Sequence, residues 1–432
     1  MQSTFIPLVL AASLSLCAQP RKPAAPAKQA LPVDRASVKQ FIKDGDAARA
    51  QNRLDEAEAL YLRAIHTLEP RNVQPETVTA LIDLTDLYVQ ENRRPESIDA
   101  AITAMQTGRS CAERTQECVK PTILSIIKTA RLFLEVQDYR NAEVLAKQGL
   151  DMGHDGALPP DVHLIAMQTY QRVLQDNSQP ATASVWQSQI KQMYAEGRFG
   201  PKPKAGGEPP ALSALFPSGA PHPAPVFSKP EERAAYFDSR IRFSIFDPQF
   251  GLNARAEANL RDAIAIGETE KTVPPIQVAG AYRGLSMMLF EARKRDESIA
   301  VARKMVDYIE KNLPPEGLEL SQAYLDLGIQ LVNERQREEA LARFELAIAA
   351  AKRCTVRFDC DKLEAQASAV KGMILLGDGE TEKAEVLIRP LVESGRDKLP
   401  PELFQRMIRD YADALRSLNR IADAQAVESK GH

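Results

Sequence analysis

The chain is poor in the residues from which catalytic and nucleic-acid-binding sites are most often built. Its 432 residues include five histidines and one tryptophan, and aromatics make up 6%. No cationic surplus exists either: 55 Lys and Arg stand against 58 Asp and Glu, a formal net charge of -3. That balance argues against a partner made of nucleic acid, whose phosphates call for clustered positive charge. No nucleophile elbow, phosphate-cradling glycine loop, dinucleotide-binding glycine pattern, paired-histidine zinc helix or calcium loop occurs. Carboxylates such as Asp83, Asp86, Glu338 and Glu339 read as solvated charges on helix faces, and none is set apart as an acid–base pair. The expectation is a protein that is not an enzyme and uses no cofactor or metal.

Long apolar runs are missing as well. The longest, Phe5 to Leu16, is broken by Pro7, Ser13 and Ser15 and falls short of the ~20 apolar residues of a membrane helix. It fits the core of a secretory signal over residues 1–18, cleaved after Ala18, although no Lys or Arg precedes it. Leu14-Ser15-Leu16-Cys17 resembles the lipobox of bacterial lipoproteins, with Leu16 where that family has a small residue. Cys17 is therefore a candidate for lipidation. The expected location is outside the cytoplasm, periplasmic or secreted, with a lipid anchor through Cys17 as the alternative and no integral membrane span.

Two stretches lack apolar periodicity. Residues 19–33 (QPRKPAAPAKQALPV) read as an extended tether, and residues 197–229 hold eight of the 29 prolines. They leave an N-terminal body at 34–196 and a C-terminal body at 230–430. Within each, an amphipathic helix, a short polar turn and a second helix with a small residue near its start recur, as in NRLDEAEALYLRAI from Asn52 and REEALARFELAI from Arg337.

The small position is filled by Ala57, Ser97, Ala142, Ala256, Ser298, Ala340, Ala384 and Ala424. Gly45, Gly328 and Gly372 supply small residues in the preceding helix, and Tyr61 and Phe344 follow as bulky partners. This pattern resembles the tetratricopeptide repeat family. Spacings of 40, 45, 42 and 44 residues between successive small positions are similar to the long, kinesin-light-chain-like variety. The resemblance implies an all-α solenoid of helix hairpins, a right-handed superhelix, here as two arrays joined by the proline-rich linker. Four hairpins are expected before the linker and five after it, the pair at 235–269 capping the second array.

A duplication underlies the repeats. Ala57 pairs with Ser298, Ser97 with Ala340 and Ala142 with Ala384 at offsets of 241, 243 and 242, and Pro159-Pro160 pairs with Pro400-Pro401 at 241. The Pro-Pro pairs, including Pro274-Pro275 and Pro314-Pro315, predict helix starts, and Pro390 predicts a kink.

Four cysteines remain beyond Cys17. Cys111 and Cys118 flank one polar loop, and Cys354 and Cys360 flank the loop at the matching junction of the other body. Both pairs are expected to form disulfides in an oxidising compartment, because helix ends at such a junction come within bridging range. A zinc site would want tighter cysteine spacing or neighbouring histidines. The family resemblance also implies a protein or peptide partner, held on the face lined by the first helix of each hairpin. In the second array that face is expected to be apolar in the middle, through Met287, Phe290, Leu325 and Ile329 beside Arg283, and basic at the end, through Arg406, Arg409 and Arg416. In the first array it carries Lys39, Ile42, Asp46, Arg49, Thr79, Ile82, Asp86 and Val89. The alternative reading is an enzyme or small-ligand receptor with its site in a cleft between the arrays.

Overall fold

The computed structural model describes residues 35–67, 74–152, 160–199, 209, 227 and 229–431. The expected signal with Cys17, the tether at 19–33 and most of the linker at 197–229 lie outside the described residues. Among the described residues the chain forms eighteen α-helices and no strand, arranged as nine hairpins. Hairpins one to four are α1 (Arg35–Ala50) with α2 (Leu54–Thr67), α3 (Pro75–Gln90) with α4 (Arg94–Ala112), α5 (Val119–Glu135) with α6 (Tyr139–Met152), and α7 (Pro160–Asp176) with α8 (Pro180–Ala195). Hairpin five is α9 (Pro230–Phe246) with α10 (Asn253–Thr269). Hairpins six to nine are α11 (Pro275–Glu291) with α12 (Arg295–Asn312), α13 (Leu318–Asn333) with α14 (Arg337–Arg353), α15 (Arg357–Gly377) with α16 (Thr381–Ser394), and α17 (Pro401–Ser417) with α18 (Ile421–Ser429).

One backbone device closes all nine hairpins. The residue that ends each first helix is left-handed: Asn52, Asn92, Gln137, Ser178, Arg293, Arg335 and Asn419 at φ between 54° and 62°, and Gly251 and Gly379 at 76° and 77°. The next amide donates to the carbonyl five residues back, at 2.9 Å in Arg53 to Ala48 and 3.1 Å in Leu252 to Asp247. This arrangement satisfies carbonyls that the helix end would otherwise leave bare. That same residue then accepts the first bond of the second helix from the small residue four positions on, as in Ala57 to Arg53 at 3.1 Å. Turn and small position are thus one unit, repeated with a fixed spacing of five.

All eight small residues expected from the sequence are fully buried. The fixed spacing also finds the one that periodicity left unassigned: Ala183 of hairpin four, 2% exposed and 241 residues before Ala424. The small residue lets the second helix approach the first, and the first helix reciprocates. A Cβ on Gly45 would sit 2.6 Å from the Tyr61 ring, on Gly328 2.7 Å from Phe344, and on Gly372 2.6 Å from Ile388. Tyr61, Phe344 and Ile388 are themselves fully buried, so each hairpin is a large side chain seated on a bare patch of helix. These are tetratricopeptide-type hairpins.

Most Pro-Pro pairs open helices as expected: Pro160, Pro275 and Pro401 are first residues of α7, α11 and α17. Pro314-Pro315 differs. It begins a turn in which the Gly317 amide bonds the Pro314 carbonyl at 3.0 Å, and α13 starts only at Leu318. Pro390 lies inside α16.

The chain divides into two compact units, one ending at Val273 and one beginning at Pro274. Hairpin five falls in the first of these, where the sequence grouped it with the second array. Helix α9 packs against α2 and α4, the second helices of hairpins one and two. Ala235 and Phe243 enter the core with Leu62, Ile65 and Ala104, while Phe250 stacks near Phe133 with ring centroids 5.5 Å apart. The complementary side chains lie more than a hundred residues apart, so no local periodicity reveals them.

Candidate functional site

Two faces of the first unit carry concentrated polar chemistry. The first is the second-helix face of hairpins one and two, which hairpin five covers. Position two beyond the small residue points outward from each second helix, and in hairpin two it holds Asp99, 1% exposed. Arg255 of α10 donates through Nε to Asp99 at 2.8 Å across 156 residues of sequence. Asn259 donates to both Asp99 (3.1 Å) and Asp247 (3.2 Å), and accepts from Arg240 at 3.1 Å. Arg240 lies over the Tyr236 ring at 4.3 Å. Beside this cluster, Glu58 accepts from Tyr88 Oη at 2.7 Å and from Arg93 Nη1 at 2.6 Å, and Arg93 stacks on Tyr88 at 4.3 Å. Burial, with the Glu58 carboxylate next, pushes the Tyr88 hydroxyl well above its ordinary value. This is a structural arrangement: Asp99, Asp247, Arg240, Glu58 and Arg93 are buried, Arg255 is partly so, and isolated ions would not survive there.

The second face is formed by the first helices α1, α3 and α5, which pack side by side. Here the charges run from buried (Glu76, Lys128 and Arg131) to exposed (Lys39 and Asp46). Lys39 pairs with Glu76 at 3.4 Å, and Arg49 reaches Asp86 at 3.9 Å and Gln90 at 2.9 Å. Lys128 also pairs with Asp86, and Glu135 joins Arg94 to Arg131, the latter at 3.1 Å. A shallow cleft between α3 and α5 is lined by Thr85, Asp86, Val89, Lys128, Arg131, Leu132 and Glu135. Asp83 sits between Asp46 and Asp86. Burial, then those two carboxylates, raise it to about 7 against the pull of Lys128 and Arg49. Asp46 accepts from Tyr61 Oη at 2.7 Å.

The sequence places Lys39, Ile42, Asp46, Arg49, Thr79, Ile82, Asp86 and Val89 on this face; Lys39, Arg49 and Asp86 enter its ion pairs and Val89 lines the cleft, whereas Ile82 is core. The sequence misses Lys128, Arg131 and Glu135, which continue the row on α5. The turn at Gln137 is the available signal, since counting back from it sets the register of α5 against α3. Asp83 and Asp86 are half-buried and electrostatically engaged, where solvated charges were expected.

In the second array the expected open apolar middle is corrected. Met287 and Phe290 are 7% exposed, Leu325 1% and Ile329 2%, so all four are core. Each lies on a first helix packed both against its own second helix and against a neighbouring first helix. Arg295 covers Phe290, its guanidinium 3.9 Å from the ring centroid. Arg283 is paired with Asp326 at 2.8 Å. At the basic end Arg406 lies 3.7 Å from Asp410, and Arg416 pairs with Asp413 at 2.9 Å and with Glu428, while Arg409 is exposed.

Both cysteine pairs are buried and adjacent, Cys111 with Cys118 at a Cα separation of 5.6 Å and Cys354 with Cys360 at 6.2 Å. These separations lie within the range that a disulfide spans. Among the described residues no group of three or more His, Cys, Asp or Glu is placed to hold a metal ion, and no helix is long and apolar enough to cross a membrane.

No protein-family model matches the chain, and no curated protein matches it in sequence. Among solved structures, BtubC from P. vanneervenii is 15% identical, with 60% of this chain and 90% of that chain covered and a TM-score of 0.24. A tetratricopeptide repeat protein from Parabacteroides merdae is 14% identical, with coverages of 77% and 99% and a TM-score of 0.29. The Rap conjugation gene regulator of plasmid pLS20, solved in complex with the Phr* peptide, is 13% identical, with coverages of 81% and 83% and a TM-score of 0.32. Superpositions this loose carry no argument about function, and the fold assignment rests on the hairpins described above.

Proposed function

We propose that this protein is a non-catalytic scaffold that binds a protein segment on the first-helix face of its first array, outside the cytoplasm. The observation that supports this is the contrast between the two faces. The second-helix face of hairpins one and two is covered by the chain's own hairpin five, while the first-helix face keeps a row of paired charges, some of them exposed, beside a cleft. Charges held in pairs at that depth can exchange partners with an incoming segment of alternating charge, at little desolvation cost. An extended segment or helix lying across α1, α3 and α5 would meet Lys39, Arg49 and Lys128 beside Asp46, Asp83 and Asp86 in turn. Arg406, Arg409 and Arg416 form the corresponding polar end of the second array.

The cysteine pairs support export: two bridges at matching junctions suit an oxidising compartment. Lipidation at Cys17 would tether the arrays to a membrane surface. Photo-crosslinking in the native cell tests the reading. A photoreactive residue at Thr79, on the first-helix face, should trap a discrete partner, and Lys128→Glu with Arg131→Glu should abolish that adduct. A photoreactive residue at Arg343, on α14, serves as the control. Adducts of equal yield from both positions, or a Thr79 adduct indifferent to the charge reversals, would overturn the assignment.

A further inference from the structure

Hairpin five stands apart from the other eight. It has no counterpart in the duplication, and it arrives through the proline-rich linker to rest on a face that the other array leaves uncovered. The matching face of the second array, on α12 and α14, carries the exposed ion pair of Arg303 with Glu339. That surface is built for water, whereas its equivalent in the first array is built to be covered.

What covers it is held by two carboxyl groups that share one amide donor. Asp99 of α4 and Asp247, which follows α9, are 1% and 0% exposed. Both accept from the same Asn259 amide nitrogen, at 3.1 and 3.2 Å, so one donor holds the two buried carboxyl groups side by side. Two buried carboxyl groups sharing one donor are better accommodated with a single proton between them than as two full negative charges. The second oxygen of Asp247, Oδ1, is buried with no hydrogen-bond partner.

Other charged and titratable groups surround the pair from every packed element. Arg255 comes from α10, Arg240 and Tyr236 from α9, Tyr88 from α3, Glu58 from α2, and Arg93 from the turn before α4. Arg93 is already matched by Glu58, Glu91 and Glu96. Arg255 is committed to Asp99, and Arg240 reaches Asn259 and not Asp247. Arg255 also draws on Asp247 through its charge, but its hydrogen bond is made to Asp99.

We propose that hairpin five is a proton-dependent latch: Asp99 and Asp247 share one proton that holds the hairpin on the second-helix face of hairpins one and two, and loss of that proton releases it. Burial, with the Asp99 charge next, raises Asp247 to about 8, and burial raises Asp99 as well. A carboxyl whose folded-state value is raised favours the docked state below its ordinary range near pH 4, and that preference is lost as pH climbs through the folded-state value. Release therefore grows as pH rises from about 4 to 8, and the covered face, with Asp99 at its centre, opens to solvent over that range.

Hydrogen exchange of the full chain, corrected for the intrinsic pH dependence of amide exchange, tests this. Between pH 5.5 and 8.5 the opening of residues 230–269 should increase at least tenfold, together with the outer amides of α2 and α4. Amides of α5 to α8 and of α11 to α18 should hold their protection. Asp247→Asn, which keeps the shape and supplies a donor to Asp99, should abolish the pH dependence and leave the hairpin docked at pH 8.5. Asp99→Asn is the second variant if the first does not fold. Equal protection at both pH values, or a variant that opens in parallel with the wild type, would overturn the proposal.

Discussion

Replacing an arginine by glycine ordinarily weakens a helical protein, but at two positions here it should do the opposite. Arg293 and Arg335 end α11 and α13 at φ of 62° and 60°, the left-handed region. Both side chains are exposed. An L residue held there costs ~1–2 kcal/mol, and glycine avoids that cost. Glycine in turn loses more conformational freedom on folding, by ~0.5–1 kcal/mol. The net expectation is a gain of about 0.5–1 kcal/mol per site for Arg293→Gly or Arg335→Gly. For a unit of this size that is a rise of roughly 1–4 °C in Tm. Gly379 supplies the reciprocal experiment. It adopts φ 77° with no atom within 4 Å of a built Cβ, so the cost of Gly379→Ala is conformational alone, ~1 kcal/mol. Differential scanning calorimetry of the full chain, following the transition of the second unit, reads all three. If the arginine replacements lower Tm, or Gly379→Ala raises it, the turn geometry that defines the nine hairpins is wrong.

Other consequences are independent of the turns. Gly328→Ala places a methyl group 2.7 Å from the buried Phe344 ring and should cost ~1–2 kcal/mol, after a helix-propensity gain is set against overpacking; Gly328→Ala with Phe344→Leu should recover part of this in denaturant titrations. Reducing the two cysteine pairs should lower stability by ~2–3 kcal/mol each on the chain-entropy estimate, read as a Tm shift with and without dithiothreitol, and no shift would show that the pairs are not bridged. Glu58→Ala removes the acceptor of both Tyr88 and Arg93 and should destabilise the first unit by ~3 kcal/mol in urea unfolding. Asp83, raised to about 7, erodes stability as pH rises from about 4 to 7; Asp83→Asn should stabilise by ~2 kcal/mol at pH 8 and by almost nothing at pH 4.

How much of this was legible in the sequence follows from the range of the interactions. The small residues and the glycines opposite Tyr61 and Phe344 act within one hairpin, over some 16 residues, and their spacing exposes them directly. The left-handed turn residues were harder to see, because only Gly251 and Gly379 are glycines and Gln137, Arg293 and Arg335 carry no compositional mark. The apolar groove failed for a different reason. Helical periodicity identifies a buried stripe but not whether solvent, a partner or a neighbouring helix lies over it, and Leu325 and Ile329 proved to be core. The docking of hairpin five was beyond reach altogether: Asp99 and Arg255 are unremarkable charges on two separate helices until the fold sets them 2.8 Å apart.

That contact also underlies the functional reading, since the first-helix face is the open one only if hairpin five occupies the other. A double-mutant cycle of Asp99→Ala and Arg255→Ala in the full chain measures it directly. The account predicts a coupling energy of ~2–3 kcal/mol between residues 156 positions apart, as expected of a hydrogen-bonded ion pair whose carboxylate is buried. Additivity to within ~0.5 kcal/mol would mean that the two side chains do not meet, and that hairpin five does not rest on the first array.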